Sequence, residues 1–228
     1  MHGGAYHWGD RLHTLEFPTD MILECNAVCI SVEYRLAPEY SFSTAVTDCY
    51  TGLQWTSEHT QELGIDPKRL MVGGLSAGGG LAAATVLLCR DRRGPVVCAQ
   101  CLVCPGLDDS MSTVSSRQYV EESDFITSDV IREMWKSTRA KEKKDPATRI
   151  SAPGTVEDLS GLPTTYLDVG TAEVLRDETV AYASKLVRTT WSPKSWFSRS
   201  KDIFHNLYIP LKHPPQTPTL VLYPILFT

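Results

Sequence analysis

Apolar and polar residues alternate in blocks along this chain, and the period changes from block to block. Ala27-Val-Cys-Ile-Ser-Val-Glu-Tyr34 is a short run rich in β-branched and aromatic residues, which suits a strand. From Ser43 to about His59, the residues Ala45, Val46, Tyr50, Leu53 and Trp55 share one helical face. Arg69-Leu-Met-Val-Gly73 returns to a strand pattern. Ala77 to Arg90 is an Ala- and Leu-rich helix that ends on the charged turn Arg90-Asp-Arg-Arg-Gly94. Val96–Val103 and Thr164–Val169 read as two further strands with a polar helical insertion between them, and a helix from about Arg176 to Val187 follows. Strands that alternate with helices in this way predict an α/β fold, with a mostly parallel sheet and helices on both faces. No internal repeat is visible. From residue 189 onward the periodicity fades, and six of the chain's fourteen prolines fall there, a composition that fits a covered parallel strand poorly. The expected organisation is therefore one domain over residues 1–187 and an irregular tail over 188–228.

Composition narrows the function classes. A chain of 228 residues that is 42% hydrophobic and 21% charged can bury a core of its own. Its net charge of -5 argues against a surface for nucleic acid, because no Lys/Arg cluster is large enough to neutralise many phosphates. The richest basic run, Ala140-Lys-Glu-Lys-Lys-Asp145, reads as a solvated helix end. No apolar run reaches the ~18 residues of a membrane span, and no signal peptide is recognisable. The closing stretch Thr219–Phe227 is apolar, but it is short and broken by Pro224, which suits an edge strand or an incidental apolar tail.

Seven cysteines change the picture only slightly. Cys98 and Cys101 have C-x-x-C spacing and Cys104 extends it, which raises zinc or a redox pair as one reading. The surrounding Val96-Val-Cys-Ala-Gln-Cys-Leu-Val-Cys104 is itself strand-like and no second ligand pair follows at a zinc-site spacing, so reduced core thiols are the other. The expectation is a soluble chain in a reducing cytoplasmic setting.

Candidate chemistry enters at Gly74-Leu-Ser-Ala-Gly78, a G-x-S-x-G pattern between a predicted strand and a predicted helix. A serine on a sharp strand-to-helix turn is forced outward, and the flanking glycines let the backbone turn without a Cβ clash. Ser76 is thus a candidate nucleophile, and the N–H of Ala77 at the helix start is a candidate oxyanion donor. An ordinary glycine-rich connection would show the same letters. The opening His2-Gly-Gly-Ala5 supplies a complement, because Gly3 and Gly4 can bare backbone N–H groups toward developing negative charge.

Taken together, these segments resemble the α/β-hydrolase fold-3 group, the hormone-sensitive-lipase-like carboxylesterases. The resemblance runs from His2 to about Val187. It rests on His2-Gly-Gly-Ala5, on Glu33-Tyr-Arg-Leu-Ala-Pro-Glu39, on Asp48 and Trp55 in the following helix, and on Gly74-Leu-Ser-Ala-Gly-Gly79. It implies an α/β-hydrolase fold and a serine hydrolase of carboxylic esters that needs no cofactor or metal and takes a small-molecule ester as substrate. It also implies catalytic Ser76 and Glu173 and an oxyanion hole from Gly3, Gly4 and Ala77. Glu173 stands at the acid position of Gly170-Thr-Ala-Glu-Val-Leu-Arg-Asp-Glu178; Asp177 is the reserve, and Asp177 and Glu178 otherwise read as first-turn residues favoured by the helix dipole. Tyr119–Trp135 is expected to form part of an acyl-pocket wall.

The general base is the one part without a motif. Members of this group carry a G-x-x-H-x-F turn after the last helix, whereas this chain continues Arg188-Thr-Thr-Trp-Ser-Pro. His205 beside Phe204 is the first remaining candidate and His213 the second, while His2, His7, His13 and His59 lie outside any such turn. The resemblance further implies early strands ahead of His2 and a base-bearing turn after Val187, so a truncated or altered carboxylesterase sequence is expected. The other class of reading is a catalytically inactive hydrolase-fold protein that binds a small apolar ligand.

Overall fold

The computed structural model describes residues 1–120, 126–140, 150 and 152–189. Its element order is α1 (Glu16–Cys25), α2 (Phe42–Glu58), α3 (Thr60–Leu63), β1 (Met71–Leu75), α4 (Ala77–Arg92), β2 (Ala99–Val103), α5 (Ser115–Gln118), α6 (Ser128–Arg139), β3 (Thr164–Asp168) and α7 (Arg176–Thr189). Single 3₁₀ turns cover Pro67–Arg69 and Pro153–Thr155.

The sheet runs β1-β2-β3 and every pairing is parallel, with Met71 opposite Ala99 and Ala99 opposite Thr164. In the central strand Ala99, Gln100, Cys101 and Leu102 are all buried. Because neighbouring side chains point to opposite faces, such a strand is covered on both sides. The expected α/β architecture with parallel strands is therefore present. Helix α4 packs on β1 and β2 and is buried along Ala77–Cys89, with α2 against it through Ala45, Val46, Cys49 and Leu53. A stripe of Gly and Ala lets α4 sit this deep, since small side chains bring its axis close to the sheet.

One predicted strand is corrected. Residues 27–34 carry no strand pairing. A strand exists only where a neighbouring backbone completes its ladder, and among the described residues none pairs with this run. Its apolar pattern reflects side-chain burial instead, since Val32 and Tyr34 are both in the core. Tyr34 stacks on the His2 ring at 4.1 Å and its hydroxyl donates to the His2 carbonyl at 2.8 Å. The first predicted sheet strand is shifted two residues, because Asp66 accepts from Lys68 N–H and caps a 3₁₀ turn where the strand was placed. Helix α1 has no counterpart in the sequence reading. The polar insertion is helical as expected, and it holds α5 and α6.

Two polar links pin the segments around the sheet edge. Asp48, buried on α2, takes a bidentate ion pair from Arg35 at 2.9 and 2.8 Å and also the Arg35 backbone N–H at 3.0 Å. Arg11 pairs with Glu33 at 3.1 Å. The Glu33–Glu39 segment is thereby tied both to α2 and to the glycine-loop region.

Candidate active site

Ser76 lies between the last residue of β1 and the first of α4, with φ 56° and ψ -117°. A non-glycine residue rarely holds such angles, and here the surroundings hold them from several directions. Its N–H donates to Val103 O at 2.8 Å, and its carbonyl accepts from Gly80 N–H at 3.1 Å and Gly106 N–H at 3.2 Å. The chain can turn this sharply because Gly74 has no side chain: a Cβ on it would overlap the Gly78 carbonyl and stand 2.8 Å from Gly79 N. A serine held outward at the junction of a parallel strand and a helix has the geometry a nucleophile elbow requires.

The glycine loop folds onto this turn. A Cβ placed on Gly3 would lie 3.8 Å from Ser76 Cβ and 3.3 Å from the Leu75 carbonyl. The Met1 amino group donates to Gly73 O at 2.7 Å, so the loop's first residues run beside β1. Gly4 has φ 116°, and its carbonyl accepts from His7 and Trp8 N–H in a tight turn. Among the described residues the N–H groups of Gly4 and Ala77 have no acceptor, whereas Gly3 N–H reaches Thr14 Oγ1 at a long 3.4 Å. Ala5, the last residue of the His2-Gly-Gly-Ala5 segment, also has a positive φ of 52° in this loop. Its letter gives no sign of that, because alanine does not favour the left-handed region.

Glu173 sits in the turn between β3 and α7, half-buried, and burial raises its carboxyl above the usual range. It shares a neighbour with Ser76. The Cys104 thiol is pushed up to about 11 first by burial and then by the Glu173 charge, with the Ser76 N–H acting the other way. Asp177 is committed elsewhere, accepting from Ser115 N–H and Arg176 Nε at 2.8 Å each, and these bonds lower its carboxyl. Glu178 does more than complement a helix dipole. It is buried, and Oε1 accepts from Leu107 N–H at 2.6 Å and Asp108 N–H at 3.2 Å.

No hydrogen bond among the described residues joins a histidine to Ser76 or Glu173. His2 is buried under Tyr34, with Nδ1 2.7 Å from Gly3 O, and desolvation lowers its pKa. His7 bonds the Ala5 carbonyl and Ser137 Oγ, His13 packs edge-on to Trp8, and His59 stacks on Trp55. His205 and His213 lie outside the described residues, as do the basic run over 141–145 and the apolar stretch at 219–227. The expected pocket wall is divided: Trp135 is in the core against Tyr6 and Phe42, while Tyr119 donates to Thr171 O beside the Glu173 turn. All seven cysteines are free thiols, and no group of three His, Cys, Asp or Glu among the described residues is arranged to hold a metal ion. No helix among them is long and apolar enough to cross a membrane.

A parallel α/β sheet with an outward serine on its strand-helix turn and a glycine loop laid against it defines the hydrolase class of this fold. The chain belongs to the alpha/beta hydrolase fold family, whose sequence profile matches residues 1–209. It is 34% identical over 188 residues to an arylesterase of Saccharolobus solfataricus, covering 82% of this chain and 61% of that protein. To carboxylesterase NlhH of Mycobacterium tuberculosis it is 35% identical over 193 residues, covering 81% of this chain and 58% of that one. Among solved structures, a bacterial heroin esterase superposes with a TM-score of 0.75 at 40% identity, over 82% of this chain and 60% of that chain. Esterase LipW of Mycobacterium marinum gives 0.71 at 33% identity, over 82% and 58%. The chain thus spans about three-fifths of the length of the relatives it matches.

Proposed function

We propose that this chain carries the serine site of a carboxylic ester hydrolase that transfers an acyl group to water through an acyl-serine intermediate. The observation that carries the reading is Ser76, held at φ 56° on the β1–α4 turn with the Gly3–Gly4 loop packed beside it. Four relatives and neighbours whose names describe esterases support the same chemistry.

In this reading Ser76 Oγ attacks an ester carbonyl after a histidine takes its proton. The oxyanion that forms is met by the N–H of Ala77 at the head of α4 and by those of Gly4 and Gly3, the last exchanging its long bond to Thr14 for the substrate oxygen. Glu173 orients the histidine and stabilises its cation. His205 is the first candidate for that base. The ester C–O bond then breaks and the alcohol leaves with the proton the histidine returns; water, deprotonated by the same histidine, attacks the acyl-enzyme, and the acid is released as Ser76 Oγ regains its proton, chemistry that requires neither metal nor organic cofactor. The substrate is a small-molecule ester.

Hydrolysis of p-nitrophenyl acetate by the soluble 228-residue chain tests this reading, beside Ser76→Ala and His205→Ala. Turnover abolished by Ser76→Ala supports it. A well-folded chain that neither turns over the ester nor is labelled at Ser76 by a fluorophosphonate overturns it. Turnover lost in Ser76→Ala yet intact in His205→Ala moves the base to another histidine.

A further inference from the structure

The loop after β2 touches the Ser76 turn and the Tyr6 end of the glycine loop, and a buried carboxyl on α7 holds it from the far side, beside the Gly154 N–H that donates to Leu107 O at 2.7 Å. Pro105 lies against Gly79, where an added Cβ would stand 2.9 Å from Pro105 Cβ. Gly106 N–H donates to the Ser76 carbonyl at 3.2 Å, and Gly106 O receives the Tyr6 hydroxyl of the glycine-loop segment at 3.5 Å. Next along the loop, Leu107, which is buried, and Asp108, which is half-buried, turn their N–H groups toward α7. Both are satisfied by Glu178 Oε1, at 2.6 and 3.2 Å. Glu178 reaches them from the first turn of α7, five residues beyond Glu173.

The geometry points to Glu178 as a positioning residue, which clamps the Pro105–Asp108 loop so that the Ser76 turn, the Tyr6 end of the glycine loop and the Glu173 turn keep one fixed arrangement. This rests on the proposed esterase reading for its catalytic consequence, while the clamp itself stands on the hydrogen bonds alone. Glu178 is 3% exposed and Leu107 is buried, so water cannot readily replace that bond, and leaving the Leu107 N–H unpaired is costly. The ionisable groups that face it are Asp108 and Tyr6. Burial, assisted by the Asp108 charge and opposed by the two amides, pushes the Glu178 carboxyl up to about 8. Oε1 accepts from both amides whether or not the carboxyl carries a proton, and glutamine keeps an oxygen acceptor at the same reach.

The test compares Glu178→Gln, Glu178→Leu and Glu178→Asp in the full chain, by amide exchange of the 104–109 peptide and by p-nitrophenyl acetate kinetics. Exchange of that peptide is expected to rise about tenfold or more in Glu178→Leu, and less in Glu178→Asp, with the 81–92 peptide of α4 unchanged and Glu178→Gln like the parent. The kinetic counterpart is a kcat roughly 10- to 100-fold lower in Glu178→Leu at a KM within about twofold, restored in Glu178→Gln. If Glu178→Leu does not fold, Glu178→Asp carries the comparison, because its shorter side chain cannot reach both amides. Unchanged 104–109 exchange in every folded variant overturns the clamp, as does loosening spread equally over α4. A parent chain without turnover overturns the esterase reading and leaves the exchange result to decide the clamp.

Discussion

Substituting Gly78 by alanine sets two physical effects against each other. Gly78 lies in the first turn of α4, where helix propensity alone favours alanine by about 0.8–1.0 kcal/mol. A Cβ there would stand 2.7 Å from the Met1 carbonyl carbon and closer still to the carbonyl oxygens of Met1 and His2, inside the 3.0 Å that real Cβ contacts essentially never breach. The obstruction is backbone on both sides, so no side chain can swing away, and the glycine loop has to lift off the Ser76 turn. Overpacking of this kind costs about 1–3 kcal/mol, and a rigid obstacle belongs at the upper end. The net expectation is destabilisation of about 2 kcal/mol, or roughly 4–8 °C in Tm for a chain of this size. Gly106→Ala is the matched control, because its Cβ would meet only Tyr6 Oη at 3.4 Å and Trp135 at 3.7 Å, and its stability should stay within about 0.5 kcal/mol of the parent. Calorimetry and ester turnover together decide the matter, with a kcat about 100-fold lower expected in Gly78→Ala from a loop displaced by about 1 Å. A Gly78→Ala protein that melts at or above the parent temperature would refute the argument that this close approach holds the loop in place.

Two further outcomes follow from buried charge. Arg35→Met leaves Asp48, whose side chain is 2% exposed, without its cation, and should cost about 2–3 kcal/mol in urea unfolding, below the ~3–5 kcal/mol of a fully buried pair because Arg35 is 38% exposed. Glu178 holds its proton in the folded chain up to about pH 8 but releases it near 4.5 when unfolded, so stability falls as pH rises through that window. The slope reaches about 1.4 kcal/mol per pH unit, and Glu178→Gln should flatten the Tm-versus-pH curve between pH 5 and 8; parallel curves would refute it.

Much of the sheet and the serine turn was legible because each rests on local pattern. Apolar runs bounded by polar turns marked β2 and β3, and glycines on both sides of Ser76 marked a turn that only small residues permit. Residues 27–34 misled for a physical reason: a strand is a property of two backbones, and one sequence segment shows only its own side chains. The two-residue shift at β1 arises at both ends: the Asp66-capped turn takes Arg69, and Gly74, which reads as part of the serine turn, is kept in the ladder by its register with Leu102. Glu178 was visible only as an acidic residue at a helix start, because its partners are backbone amides some seventy positions away that have no signature in the sequence.

These contacts place the precision of the candidate site in its supports. Ser76 contributes a strained backbone that is useful only while Val103, Gly80 and Gly106 hold it, and Gly106 stands in a loop that β2 delivers and α7 secures. The same first turn of α7 ties Asp177 to Ser115 N–H and Glu178 to Leu107 N–H, so the Glu173 turn is braced against the start of α5 and the loop after β2 at once. A change in α7 therefore reaches Ser76 through two hydrogen bonds and a proline-glycine turn, with no contact to the serine itself. For that reason, disturbing the support should lower kcat and leave KM nearly unchanged.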